Sequence, residues 1–314
     1  MQTIPCRVSQ HPLLSMLVCP VTQQPLLCVG DELVTPDEKH RYPIENGIPR
    51  FVESDLYVGS FSFEWNMHKR TQLDTHRQDQ SSEAMFQEKT GLTRAQVEGK
   101  LILDAGVGAG RFTDILLKWG ARVVGIDLSY AVEAAHENFG HRSDALICQA
   151  DIGNLPFRPG TFDFIISIGV LHHTPDTAKY FSCLPRYLKP GGEIAVWVYP
   201  DLEWYLMRRA WIPFTSRIPC KMLYGFCKVF VPWAVKQPRN RLSRWLHKVF
   251  PISDQRLGVE NDILDTFDGC SPRYHGVHST DEVVGWFRNA GLVDIKPQAT
   301  LTSVRGRRPA PLAA

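Results

Sequence analysis

Between Lys100 and Tyr199 short apolar runs alternate with stretches of helical periodicity. Residues 101–103, 122–126, 146–148, 164–168 and 194–198 read as strands, and strands separated in this way by helices predict a parallel α/β sheet. After Tyr199 that rhythm stops. It resumes with a helix over 281–290, opened by the cap pair Ser279-Thr280 and closed by Gly291, and with closing strands near 293–295 and 301–304. Upstream, residues 1–55 combine prolines, short apolar runs such as 26–29 and the turn signal Glu45-Asn46-Gly47, the pattern of a small β-rich module. Residues 56–99 carry Phe61, Phe63 and Trp65 at alternating spacing and a helix over 82–89, and read as lead-in helices or a lid over the next domain. The expected organisation is therefore 1–55 module, 56–99 lead-in, 100–199 core, 200–278 helical insertion, and 279–314 final helix, strands and a disordered tail. Prolines at 213, 219, 232 and 238 predict that the insertion holds only short helices.

A chain of 314 residues with 44% apolar and 22% charged content can bury one α/β core and carry appendages. Its eight cysteines include no C-x-x-C pair, so a reducing, cytoplasmic setting is expected and no disulfide framework. The apolar run 13–18 lacks a basic leader, and no stretch reaches the ~20 apolar residues that span a bilayer, so neither export nor a membrane span is expected.

Charge changes the picture more than composition does. Residues 204–253 hold ten Lys or Arg and no Asp or Glu, so the rest of a chain of net charge +2 carries 2 − 10 = −8. Aromatic residues interleave with these cations from Trp204 to Phe250. Three readings stay open for the insertion: a cap over a substrate pocket, a peripheral contact with an anionic membrane surface, or an RNA contact.

The candidate chemistry begins where strand 101–103 runs into Asp104-Ala105-Gly106-Val107-Gly108-Ala109-Gly110 and then a helix near Arg111. A dinucleotide site wants G-x-G-x-x-G, and counting from Gly106 the last place falls on Arg111. The pattern D-x-G-x-G-x-G instead resembles the first motif of class I S-adenosylmethionine (SAM) dependent methyltransferases, of the methyltransferase-11-like kind. Asp127 closes the second strand, Gln149-Ala150-Asp151-Ile152 closes the third, residues 162–167 form the fourth and Leu188-Lys189-Pro190-Gly191-Gly192 turns into the fifth, in the order that family shows. The resemblance implies a Rossmann-like seven-stranded sheet with helices on both faces, and SAM as cofactor. It implies that Asp104, Ala105, Gly106, Gly108, Gly110, Asp127, Leu128, Asp151, Ile152 and Ile168 bind the cofactor, with Asp127 accepting from its ribose hydroxyls and Asp151 and Ile152 meeting its adenine.

The segments 13–20 and 41–49 are similar to the small zinc-ribbon proteins that partner RNA and translation-factor methyltransferases in their bacterial form, here fused in cis. Val21-Thr22 stand where a second cysteine would follow Cys19, so no metal is expected. Residues 61–74 and 265–274 are similar to blocks found in bacterial methyltransferases of this broad family.

Methyl transfer needs an aligned acceptor and a group to take its proton. His172 and His173, after the fourth strand, are the catalytic candidates, with Tyr199, Asp265, Asp268, Tyr274, His275 and His278 behind them. The chain has Ser167-Ile168-Gly169-Val170 where base-amino methylating enzymes carry an Asn/Asp-Pro-Pro-aromatic tetrapeptide, which disfavours a nucleic-acid acceptor. The expected activity is methyl transfer to a small-molecule or lipid- or saccharide-linked acceptor. An RNA methyltransferase and a non-catalytic SAM-binding scaffold are the alternatives.

Overall fold

The computed structural model describes residues 11–53, 57–202, 212–237 and 258–310. Its centre is a seven-stranded sheet formed by β5 (Leu101–Ala105), β6 (Arg122–Asp127), β7 (Ala145–Gln149), β8 (Phe162–Ile168), β9 (Leu188–Trp197), β10 (Val293–Pro297) and β11 (Ser303–Arg307). The spatial order is β7-β6-β5-β8-β9-β11-β10. The first five are parallel, and β11 runs antiparallel to both its neighbours. This is the fold class expected from the sequence. Strands β5 and β7 are buried at every position, as an apolar run covered on both faces must be.

Helices α5 (Arg111–Lys118), α6 (Val132–Phe139), α7 (Thr177–Cys183) and α11 (Thr280–Asn289) cover the sheet. The end signals read in the sequence act as such: Ser279 accepts from the Glu282 amide, and Gly291 takes a positive φ just past the helix. The first closing strand begins at Val293 as expected and runs on to Pro297, and the second lies at Ser303–Arg307, two residues later than the start the apolar pattern gave it. Part of the expected disordered tail, 311–314, lies outside the described residues, whereas Arg308 is tied to the sheet by its amide bond to the Gly192 carbonyl.

The lead-in comprises α1 (Gly59–Met67), α2 (Asp74–Arg77), α3 (Ser81–Thr90) and α4 (Arg94–Val97). The described part of the insertion contains α8 (Ile212–Thr215), α9 (Cys220–Val235) and α10 (Val259–Asp268). The expectation of short helices fails at α9, which runs sixteen residues with Pro232 inside it. Pro219 sits at the N-cap, where no helical N–H bond is required, while Pro232 lies inside the helix and forgoes one N–H···O bond that the packing of α9 outweighs.

The N-terminal module is a four-stranded antiparallel sheet, β1 (Leu27–Val29), β2 (Glu32–Val34), β3 (Arg41–Glu45) and β4 (Ile48–Pro49). It closes the exposed edge of β7. Arg50 bridges Gln149 in parallel, the Phe51 amide donates to the Gln149 carbonyl at 2.8 Å, and Leu17 bridges Phe157. Leu13, Leu14, Leu17, Leu33 and Ile44 join the main core. The buried Arg50 guanidinium bonds Gln149 Oε1 at 2.7 Å and pairs with Glu45 and Glu133, so one side chain ties module, sheet and α6 together. Arg50→Ala should cost about 2–3 kcal/mol, since it leaves Gln149 unsatisfied and two carboxylates unpaired. Urea unfolding would measure the loss, and limited proteolysis should show cleavage within 11–53 first. An unchanged midpoint and cleavage pattern would remove Arg50 as the clamp.

Candidate active site

The strand order reverses between β5 and β8, and a cavity of about 440 Å³ opens beyond their carboxyl ends, where parallel sheets of this kind bind ligands. Its floor is the loop from β5 to α5. Gly106 has φ +98°, and a Cβ there would lie 2.3 Å from a Val170 methyl, so only glycine allows the loop to turn against the end of β8. Beside it, Asp127 is held rigidly at the end of β6: Oδ2 accepts from the Gly108 amide at 3.0 Å, and Oδ1 from the Ser129 amide and hydroxyl at 2.9 and 2.7 Å. Burial raises its pKa above the ordinary carboxylate value. Asp151 accepts from the Gly153 amide at 2.8 Å and stands on the wall with Leu128 and Ile152.

Of the residues singled out in the sequence, Gly106, Gly108, Asp127, Leu128, Asp151, Ile152, Ile168 and His173 meet on this cavity wall. Asp104, Ala105, Gly110 and His172 do not line it. Asp104 is turned inward and accepts from Thr113 Oγ1 at 2.8 Å, while burial pushes its pKa up to about 7. The Ala105 carbonyl is taken by Ser167 Oγ at 2.8 Å. Gly110 makes room for the Phe139 ring, which would lie 2.3 Å from a Cβ there. His172 is fully buried and stacks on Tyr199 with ring centroids 3.7 Å apart.

His173 differs from its neighbour. Its Nδ1 donates to the Tyr274 carbonyl at 3.0 Å, which leaves the Nε2 lone pair without a partner on a ring that lines the cavity. Burial pushes its pKa down to about 4. Tyr199, Asp265 and Asp268 share the wall. Tyr274 contributes its carbonyl, the His275 ring lies 5.7 Å from that of His173, and His278 is bonded to Thr177 and Glu282 away from the site.

The aromatic lead-in divides by helical period. Phe61 and Trp65, four apart on α1, face the cavity, whereas Phe63 packs on Tyr224 and Phe267. Three charged residues escaped the sequence reading. Lys89 is 7% exposed, with Nζ 2.8 Å from the Trp197 ring centroid, and burial drives its pKa well below the usual amine value. Arg111 donates from Nε to Ser82 Oγ at 2.9 Å and lines the same wall. Glu64 is buried beneath them on α1, near Asp265 and Asp268, and burial raises its pKa well above normal. A signal existed for two of them: Lys89 follows Phe86 by three positions on the buried face of α3, and Arg111 places a cation at a helix N-terminus, against the dipole. Among the described residues no group of three or more His, Cys, Asp or Glu is placed to hold a metal ion, and no helix is long and apolar enough to cross a membrane.

A doubly wound sheet with a glycine loop at its switch point and acids ending the next two strands defines a Rossmann-like cofactor-binding protein. Residues 103–196 match the methyltransferase domain family and residues 10–47, ahead of them, match the Trm112p-like protein family. Similar proteins include phosphoethanolamine N-methyltransferase 2 of Caenorhabditis elegans, 36% identical over 32% of this chain and 24% of that one. The 18S rRNA (guanine-N(7))-methyltransferase bud23 of Schizosaccharomyces pombe is 33% identical over 49% of this chain and 58% of its own. A ubiquinone biosynthesis O-methyltransferase of Methylococcus capsulatus is 28% identical over 47% and 61%. The chain thus spans less than two thirds of the length of each of these relatives. A solved Haloferax volcanii complex of the Trm112 methyltransferase activator with a methyltransferase aligns over 80% of this chain and 97% of that one, at 17% identity and a TM-score of 0.47.

The pKa directions give a test of the site's electrostatics. As pH falls, the unfolded chain protonates His173 near ~6.5 while the native state resists until about 4, so this group withdraws about 3 kcal/mol of stability across that window. Asp104 acts oppositely: the native state takes up its proton near 7 and the unfolded chain near ~3.9, so falling pH adds stability there. The stability difference between wild type and His173→Gln, measured by urea unfolding at several pH values, should therefore fall as pH drops from 7 to 4. A pH-independent difference would mean that His173 is not held neutral by burial.

Proposed function

We propose that this protein is a SAM-dependent methyltransferase acting on a small-molecule or lipid-linked acceptor. The observation that carries the reading is the Asp127 carboxylate, fixed by three hydrogen bonds beside a glycine loop that admits no Cβ at Gly106. SAM, when bound, supplies a methyl group already activated for in-line displacement. Asp127 then accepts from the ribose hydroxyls, Asp151 and Ile152 hold the adenine end, and Phe61 and Trp65 offer aromatic faces to the cationic end. Residues of α1 and α10 line the cavity around the place of the reacting pair. His173, with its tautomer set by the Tyr274 carbonyl, presents Nε2 to take the acceptor proton. An RNA acceptor is the second reading, favoured by the bud23 likeness and the cationic insertion.

Calorimetric titration with SAM, S-adenosylhomocysteine and NAD tests the cofactor. Wild type should bind the first two and not NAD, and Asp127→Ala should weaken SAM by roughly 100-fold, the loss of two hydrogen bonds to a charged group. Binding of NAD, or SAM binding that Asp127→Ala leaves intact, would overturn the assignment. Once an acceptor is in hand, His173→Gln should lower kcat by about 10²-fold or more with SAM affinity unchanged. An unaltered kcat would remove His173 as the base, and RNA binding that collapses steeply with salt would favour the second reading.

A further inference from the structure

Two cations on the cavity wall have no counter-ion at close range among the described residues. Lys89, on α3, is 7% exposed, and its ammonium lies over the Trp197 ring with no carboxylate at ion-pair distance. Arg111 opens α5. Its Nε donates to Ser82 Oγ at 2.9 Å, while Nη2 is buried without a hydrogen-bond partner. Both side chains line the cavity, each feels the charge of Asp265 without forming an ion pair with it, and Lys89 also feels the repulsion of Arg111. A buried cation without a partner is costly to the fold, and two of them converging on one cavity mark a place where a ligand supplies the missing charge.

Their position sets them apart from the carboxylates assigned to the nucleoside of the cofactor. Trp197 ends β9, and Asp127 ends β6; in the order β6-β5-β8-β9 three strand steps separate them, about 14 Å at the usual spacing. Ile168 ends β8 between them, and His173 follows it. We infer that Lys89 and Arg111 hold an oxyanion, a carboxylate or a phosphate, carried by the methyl acceptor. Arg111 offers Nη2 as a directed donor and Lys89 a point charge, the pairing that suits either group. Burial and the neighbouring guanidinium press Lys89 towards its neutral form, and a negative group between the two restores its charge. Calling the bound molecule the acceptor rests on the methyl-transfer reading; the anion site itself does not.

The test is calorimetric titration of the full chain, with and without saturating S-adenosylhomocysteine, using benzoate, phenyl phosphate and the neutral benzamide as probes. One of the two oxyanions should bind at least about tenfold more tightly than benzamide, and which of them does so tells a carboxylate site from a phosphate site. Lys89→Met and Arg111→Gln should each weaken that binding by about tenfold or more. Lys89→Met should melt no lower than wild type, since it removes a buried charge without a partner, and this separates loss of binding from loss of fold. No preference over benzamide overturns the inference, and so does oxyanion binding that both variants leave intact. It is also overturned if the variants weaken S-adenosylhomocysteine but not 5′-methylthioadenosine, which lacks the amino-acid carboxylate, because the two cations would then belong to the cofactor. Loss of oxyanion preference with S-adenosylhomocysteine binding intact would leave the methyl-transfer reading standing. Oxyanion binding without binding of SAM or S-adenosylhomocysteine would overturn that reading and support the anion site alone.

Discussion

The contact on which the site depends is the approach of Gly106 to Val170, closer than any side chain at Gly106 would permit. It sets the end of β5 directly against the end of β8, the two strands between which the order of the sheet reverses. Every other feature of the cavity follows from that spacing. The Gly108 amide reaches Asp127, α5 starts where Arg111 can join the wall, and Gly125 on β6 lies close enough to Val107 that a Cβ would meet it at 2.8 Å. A crevice made in this way is rigid, because each backbone position is bounded by packed side chains rather than by solvent.

The core of the fold was readable because its strands are buried on both faces and appear as uninterrupted apolar runs. The strand-end carboxylates could be placed because the register of those runs puts them there. The glycine loop was less transparent. Its spacing located the site, but a glycine that cradles a ligand and one that admits a ring, as Gly110 admits Phe139, look identical in sequence. The same ambiguity affected His172 and His173, adjacent in the chain yet separated by one stacking partner, Tyr199. Lys89 and Arg111 each left a local signal, a cation on the buried face of α3 and a cation at a helix N-terminus, but the acid both of them feel, Asp265, lies more than 150 positions away in the chain. Pro232 misled because the burial of Leu223, Cys227, Val231 and Ala234 against α10 carries the helix through the one bond the proline forgoes.

The module at residues 11–53 solves a structural problem of the sheet. Strand β7 ends the parallel series and would present unpaired backbone groups, an invitation to wrong pairing. Residues 50 and 51 take up those groups in parallel register, and Leu17 adds a bridge at Phe157. Cys19, in the turn of this module, is bonded to Tyr42 OH at 3.1 Å and to the Thr22 amide at 3.4 Å, so its thiol is engaged with the module's own polar groups. Stability of the core and placement of the module are therefore one property, shared through Arg50.

One wall of the cavity gathers opposing charges. Lys89 and Arg111 both feel Asp265, and Glu64 feels Asp265 and Asp268, so two cations and three acids influence one another. Burial drives Lys89 towards its neutral form and Glu64 towards its protonated form, the response expected when charge cannot be solvated. Entry of a cation would reverse part of that balance: it would favour ionised carboxylates and press Lys89 further towards neutrality. The protonation state of this wall is thus set jointly by the fold and by what the cavity holds.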